Sequence, residues 1–319
     1  MAQSSITVEQ FFKQQGGALQ MRLLSEGANL DRIIREPTVN RPGLALSGFT
    51  QYFAYKRVQV FGNAEVFYLR TLTRAQRESR YAFLFAYKIP CVVFSRSLKP
   101  DKELLAAAAS AGVPVFQSPL VTMTYINAAT LELEMMFAPR GMEMGSMVDI
   151  LGVGVIIKGD SGIGKSEAVL ALIERGYSLV SDDMTRVTLV GGHEILGTSA
   201  ELTRNHMEIR GIGIINVAAM FGIKSVRRDK TLNLIVTLKI WNEVTDVERV
   251  GMEQDFLKVL GVDIPHIIIP VRPGRDLARL IEVAAYQTKL KNSGYNAAQE
   301  LNERLIAQMT PETLPPQVK

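Results

Sequence analysis

Eight consecutive residues, Gly159, Asp160, Ser161, Gly162, Ile163, Gly164, Lys165 and Ser166, join three glycines to an amine and a hydroxyl at the spacing G-x-x-x-x-G-K-[ST]. Glycine lets successive backbone N–H groups turn toward one point, and a helix opening at Lys165 adds the positive end of its dipole there. A cradle of this kind surrounds the tail of a nucleoside di- or triphosphate. Within it the Lys165 ammonium reaches the β and γ phosphates, and the Ser166 hydroxyl is a ligand for Mg²⁺.

Transfer of a phosphoryl group also needs a carboxylate at the mouth. The segment after the cradle, "SEAVLALIERG", reads as a helix stopped by Gly176, and "YSLVSDD" as a short strand ending in Asp182 and Asp183. A helix from Lys165 to Arg175 carries the chain away by roughly 16 Å at about 1.5 Å per residue. The strand returns it by a similar distance at about 3.3 Å per residue. Both aspartates are therefore expected at the sheet edge that holds the phosphates, where a carboxylate can hold a metal-bound water or accept a proton from an incoming hydroxyl. In "MEIRGIGIIN" (Met207 to Asn216), alternation puts Glu208 and Arg210 on one face, a carboxylate for a cation and a guanidinium for phosphate. The same two residues also suit an exposed ion pair. Arg249 in "VERVG", and Arg272 and Arg275 in "PVRPGR", are further cations on predicted turns.

The elements that must position these residues fall into two parts. Up to residue 137 the chain reads as one α/β unit. "LRTLT" and "CVVFS" have the composition of strand ends, "KELLAAAASAG" is a helix closed by Gly112, and a short strand covers Val113 to Phe116. "APRG" (Ala138 to Gly141) interrupts the pattern, giving expected domains of 1–137 and 138–319. In the second, "VDILGVGVIIKG", "LNLIVTLKIW" and "PHIIIPV" read as strands, and "RDLARLIEVAAYQTKLKNSG" as the last long helix.

A length of 319 residues suits two such cores, and 47% hydrophobic with 21% charged residues excludes disorder and fibrous repeats. The net charge of +4 comes without a Lys/Arg block or an aromatic-interleaved basic stripe, so no nucleic-acid partner is expected. No run approaches about 18 apolar residues and no leader pattern opens the chain, so the expectation is a cytoplasmic protein without membrane attachment. The single cysteine, Cys91, reads as a packed thiol in a buried strand.

Taken in order, "GDSGIGKS", "SDD", "EIRGIGIINV" and "PVRPGR", with "RPGLALSGF" and "VPVFQSP" in the first half, resemble the HPr kinase/phosphorylase family over most of the chain. The resemblance implies an N-terminal α/β domain plus a C-terminal P-loop kinase domain resembling phosphoenolpyruvate carboxykinase, assembled as a homohexamer. It implies an enzyme that uses ATP or pyrophosphate, with Mg²⁺, to phosphorylate a serine of the phosphocarrier HPr or a relative, and removes the phosphate by phosphorolysis. By the same resemblance Gly159 to Ser166 bind nucleotide, Lys165 contacts the transferred phosphate, and Ser166 and Glu208 hold Mg²⁺. Asp183 is the base for the kinase direction and the acid for its reverse, and Arg249 is an active-site arginine. Met207 to Asn216 serve both directions, and Pro270 to Arg275 dephosphorylation.

One position departs. The family carries a histidine shortly after "APR", and counting back from Lys165 this chain has Met144 there. Methionine neither titrates near neutral pH nor donates a hydrogen bond, so phosphorolysis is the activity expected to weaken. The residues by themselves leave two other readings open: a kinase for a small metabolite, which needs an enclosed acceptor pocket, and a nucleotide-switched regulatory protein that phosphorylates no acceptor.

Overall fold

The computed structural model describes residues 5–25, 27–243 and 254–309. They divide into two compact units, 1–139 and 140–319.

In the first unit a five-stranded sheet is built on four parallel strands, Val39–Asn40, Val58–Phe61, Val92–Phe94 and Val115–Gln117, neighbours in chain order. Arg22–Leu23 adds an antiparallel edge. Helices cover both faces, which is why the central strands read as continuous apolar runs. Val60, Phe61 and Val92 to Phe94 are all buried. Cys91 is fully buried, and removal from water pushes its thiol pKa up to about 12, so it packs as a small apolar residue. The helix Lys102–Ala111 ends at Gly112 in the left-handed conformation that a residue with a Cβ disfavours. "LRTLT" is not a strand end: Leu69 to Thr71 form the last turn of the helix Asn63–Thr71. Threonine and leucine mimic a strand there, but Val66 and Leu69 are buried three residues apart, and that helical spacing decides the segment.

The second unit is organised on the strand Val153–Gly159, which runs straight into the glycine cradle. It pairs parallel with Asp229–Ile240 and antiparallel with Ser146–Ile150. Ser178–Ser181 is in turn antiparallel to Ser146–Ile150, so it runs the same way as Val153–Gly159 and ends at the same edge. Asp229–Ile240 is shared: its first residues pair with Glu194–Thr198 and its last with Val262–Val271. Met184–Val190 and Arg140–Met144 extend the sheet beyond Glu194–Thr198.

Alternation sorts the side chains of these strands between two cores. Val155, Ile157, Val236 and Leu238 pack with Val169 and Leu172 of the helix Lys165–Glu174 and Ile281 and Ala285 of the helix Leu277–Asn292. Ile156 and Ile235 face the other way, against Val187 and Ile195. The two helices are also tied by polar groups. Arg175 pairs with Asp276 at 2.6 Å, and the Tyr177 hydroxyl donates to the buried Glu282 at 2.5 Å. That hydrogen bond, with help from Arg279 and Tyr286, holds the Glu282 carboxyl at a pKa of about 2. Leu277–Asn292 is not the last helix, because Ala297–Met309 follows it. Among the described residues no helix is long and apolar enough to cross a membrane.

Candidate active site

Between the strand Val153–Gly159 and the helix Lys165–Glu174 the chain makes the turn that the sequence spacing requires. Gly162 and Gly164 have φ of +86° and +102°. A Cβ on Gly162 would also sit 3.2 Å from the Arg210 guanidinium. Gly164 is the helix N-cap, and no side chain caps that helix, which leaves its first amides for a ligand. Lys165 donates to Gly159 O at 2.7 Å and to Asp160 O at 3.1 Å, so the ammonium lies folded onto the loop.

A cavity of about 100 Å³ opens over this turn. From the loop and helix it is lined by Ser161, Gly162, Gly164, Lys165, Ser166 and Glu167, and from elsewhere by Asp183, Glu208 and Arg210. The structure thus brings Lys165, Ser166, Asp183 and Glu208 to one place. Asp183, Glu208 and Arg210 are exposed at its mouth. Arg249 lies outside the described residues.

Asp183 reaches the mouth through an unusual backbone, φ +52°, a region that aspartate tolerates better than most residues. Its neighbour Asp182 turns inward. There Oδ1 accepts from Ser146 Oγ at 2.9 Å and Oδ2 from the Glu208 N–H at 3.0 Å, and burial pushes its carboxyl above the usual range. Glu208 sits on the hairpin His206–Ile209 and Gly213–Asn216. Along its first strand Met207 and Ile209 are buried while Glu208 and Arg210 are exposed, as the alternation predicts. Arg210 donates to Ser161 Oγ, clasping the hairpin to the cradle.

Met144 is 68% exposed and pairs across the sheet with Met184, next to Asp183. Glu143 bonds Lys158 at 2.6 Å, so it is occupied elsewhere. Arg275 donates to Pro270 O at 2.8 Å, and the Arg272 guanidinium lies 3.1 Å from the centre of the Trp241 ring. Neither lines the cavity. Glu167, Ser146 and Trp241 were not among the expected site residues. Glu167 had one available signal, its place in the first turn of the cradle helix, where a carboxylate meets the positive dipole end.

Ser166 and Glu208 are hard oxygen donors on one cavity. Among the described residues no group of three His, Cys, Asp or Glu side chains is built to hold a cation alone. This set fits Mg²⁺, which takes one or two protein oxygens and shares the remainder with phosphate and water.

Residues 6–133 match the family model for the HPr Serine kinase N terminus, and residues 135–305 that for the HPr Serine kinase C-terminal domain. The chain belongs to the HPr kinase/phosphorylase family. The HPr kinase/phosphorylase of Brevibacillus brevis is 42% identical over 284 residues, 89% of this chain and 91% of the relative. That of Geobacter sulfurreducens is 39% identical over 305 residues, 96% of each chain. A solved structure of the Hpr(Ser) kinase/phosphatase from Coxiella burnetii is 30% identical, covers 51% of this chain and 99% of its own, and has a TM-score of 0.46.

Proposed function

We propose that this chain transfers the γ-phosphoryl group of ATP, with Mg²⁺, to a serine of HPr or a close relative, and reverses the transfer by phosphorolysis. The observation that carries this is the shape of the mouth. Asp183 stands exposed beside a shallow phosphate cradle, with Ile212 and Ile214 of the hairpin 74% and 76% exposed nearby. A small metabolite needs an enclosed pocket, whereas a serine carried on a protein needs an open face and apolar surface to dock against.

In the forward direction the serine oxygen attacks the γ phosphorus, the bond to the β–γ bridging oxygen breaks, and Asp183 takes the hydroxyl proton. Lys165 leaves the loop carbonyls for the γ phosphate, and the free amides at the start of the helix offset charge on the phosphate oxygens. Ser166 and Glu208 would hold Mg²⁺, which when bound neutralises the phosphate charge. In reverse, an oxygen of inorganic phosphate attacks the phosphoserine phosphorus, the bond from phosphorus to the serine oxygen breaks, Asp183 gives its proton to that oxygen, and pyrophosphate is the product. Pyrophosphate serves as an alternative donor by the same route. Cytoplasmic location and a homohexamer complete the reading, the latter supported by the exposed Leu301 and Leu305 on one face of the helix Ala297–Met309.

The test is incubation with γ-labelled ATP and HPr, followed by addition of inorganic phosphate. Label on an HPr serine, later recovered as pyrophosphate, is the expected result. Release of labelled inorganic phosphate alone would instead mark a nucleotide switch and refute the assignment.

A further inference from the structure

Asp182 is part of the site's architecture without lining the cavity. Its carboxylate ties two neighbouring segments of the nine-stranded sheet, the strand that starts at Ser146 and the one that ends at Ser181, to the hairpin that carries Glu208. Ser146, fully buried at the start of its strand, donates to Asp182 Oδ1 at 2.9 Å, and the same Ser146 oxygen accepts the Asp183 N–H at 3.2 Å. On the other side Asp182 Oδ2 accepts the Glu208 N–H at 3.0 Å. The hairpin bearing Glu208 is a separate two-stranded sheet, so no strand ladder fixes it to the nine-stranded one. Its place relative to Asp183 rests on packing of Met207 and Ile215 against the core, on the Arg210–Ser161 clasp and on this hydrogen bond, the one of these that reaches the segment of Asp183.

We propose that Asp182 is a positioning residue: with Ser146 it sets the spacing between the Asp183 and Glu208 carboxylates, so that the proton acceptor and the cation-binding oxygen meet the cradle in register. The inference rests on the reading of Asp183 as the base and Glu208 as a Mg²⁺ ligand. Its chemical requirement is two acceptor atoms facing opposite ways. Asparagine keeps one of them for the Glu208 N–H, and its amide nitrogen can donate to the Ser146 oxygen, which has a second lone pair. Alanine keeps neither.

The experiment compares Asp182→Ala, Asp182→Asn and Ser146→Ala with the natural full-length chain. Calorimetry reads ATP affinity with and without Mg²⁺, and transfer to HPr is assayed alongside. Metal-free ATP affinity should stay within about twofold in all three, because the cradle itself is untouched. In Asp182→Ala the gain in affinity conferred by Mg²⁺ should fall roughly tenfold and kcat by up to about 100-fold, with little change in KM for HPr. Asp182→Asn should recover most of both losses. Ser146→Ala should lower kcat several-fold with the Mg²⁺ effect retained, because the Asp183 N–H and Asp182 Oδ1 lose their partner while the bond from Asp182 Oδ2 to the Glu208 N–H remains.

An Asn variant as inactive as the Ala variant, with the Mg²⁺ effect intact in each, would make Asp182 a reacting group and overturn the proposal. So would an Ala variant indistinguishable from the natural chain. If Asp182→Ala does not fold, the other two variants decide, and Ser146→Ala within about twofold of natural kcat overturns it. A natural chain that transfers nothing to HPr would refute the proposed function instead, leaving the calorimetric ratio to judge this inference alone.

Discussion

Two strand-to-helix turns, one in each unit, carry a glutamate at the third position of the helix and use it in opposite ways. After Val58–Phe61, Glu65 reaches back to the Gly62 N–H at 2.9 Å and receives Arg41 through both carboxylate oxygens, at 3.1 and 2.9 Å. It is 3% exposed and both of its oxygens are engaged. After Val153–Gly159, Glu167 does not reach back, the N-cap Gly164 has no side-chain partner, and the glutamate stands exposed on the cavity with Asp183 and Glu208. The first turn is closed by its own glutamate and by an arginine from outside it. The second keeps amides and carboxylates available, and chemistry is expected where polar capacity is left unused.

The strongest test of that contrast is Asp183→Asn, which should lower transfer to HPr by about 1,000-fold while ATP affinity stays nearly unchanged. Single-turnover transfer with calorimetry checks it, and a variant that turns over normally would remove Asp183 from the mechanism. Lys165→Ala should cost about 100-fold in transfer and also weaken ATP binding, because the ammonium can exchange loop carbonyls for phosphate.

The first turn predicts the opposite phenotype. Glu65→Ala should destabilise by about 2 kcal/mol, discounted from a fully buried pair because Arg41 is half exposed, with the rate per folded molecule unchanged. Urea unfolding and an active-fraction assay separate the two effects. A smaller gain is expected for Met144→His beside the mouth: phosphorolysis rising roughly tenfold and the kinase rate steady. Brisk pyrophosphate release from the natural chain would show that no imidazole is needed there.

The mildest effect concerns acid. The Glu282 pKa is depressed to about 2, so the stability it contributes is fully present above the unfolded carboxylate value of about 4.3 and is lost as pH falls through 2. Urea midpoints measured at pH 6 and pH 3 should drop more in the natural chain than in Glu282→Gln.

Much of this contrast was legible before the structure. The cradle, the return of the chain to Asp182 and Asp183, and the shared face of Glu208 and Arg210 follow from local spacing, because a glycine turn, a 1.5 Å rise and a two-residue alternation are properties of short segments. Charge was a poorer guide. The net +4 does not sit with the cradle: residues 1–139 hold 15 Lys/Arg against 10 Asp/Glu, while residues 140–319, which carry it, hold 21 against 22. What that unit offers an anion is oriented amides and a few placed cations rather than bulk charge.

The sequence alone determined where the glycine cradle forms and which carboxylates come within reach of it. Only the tertiary structure decided which of those carboxylates stay free. Asp182 and Asp183 are identical neighbours, and so, by helix position, are Glu65 and Glu167. What divides each pair is whether a serine, an arginine or a distant backbone N–H arrives to consume the oxygens, and such partners come from segments far apart in the chain that meet only when it folds.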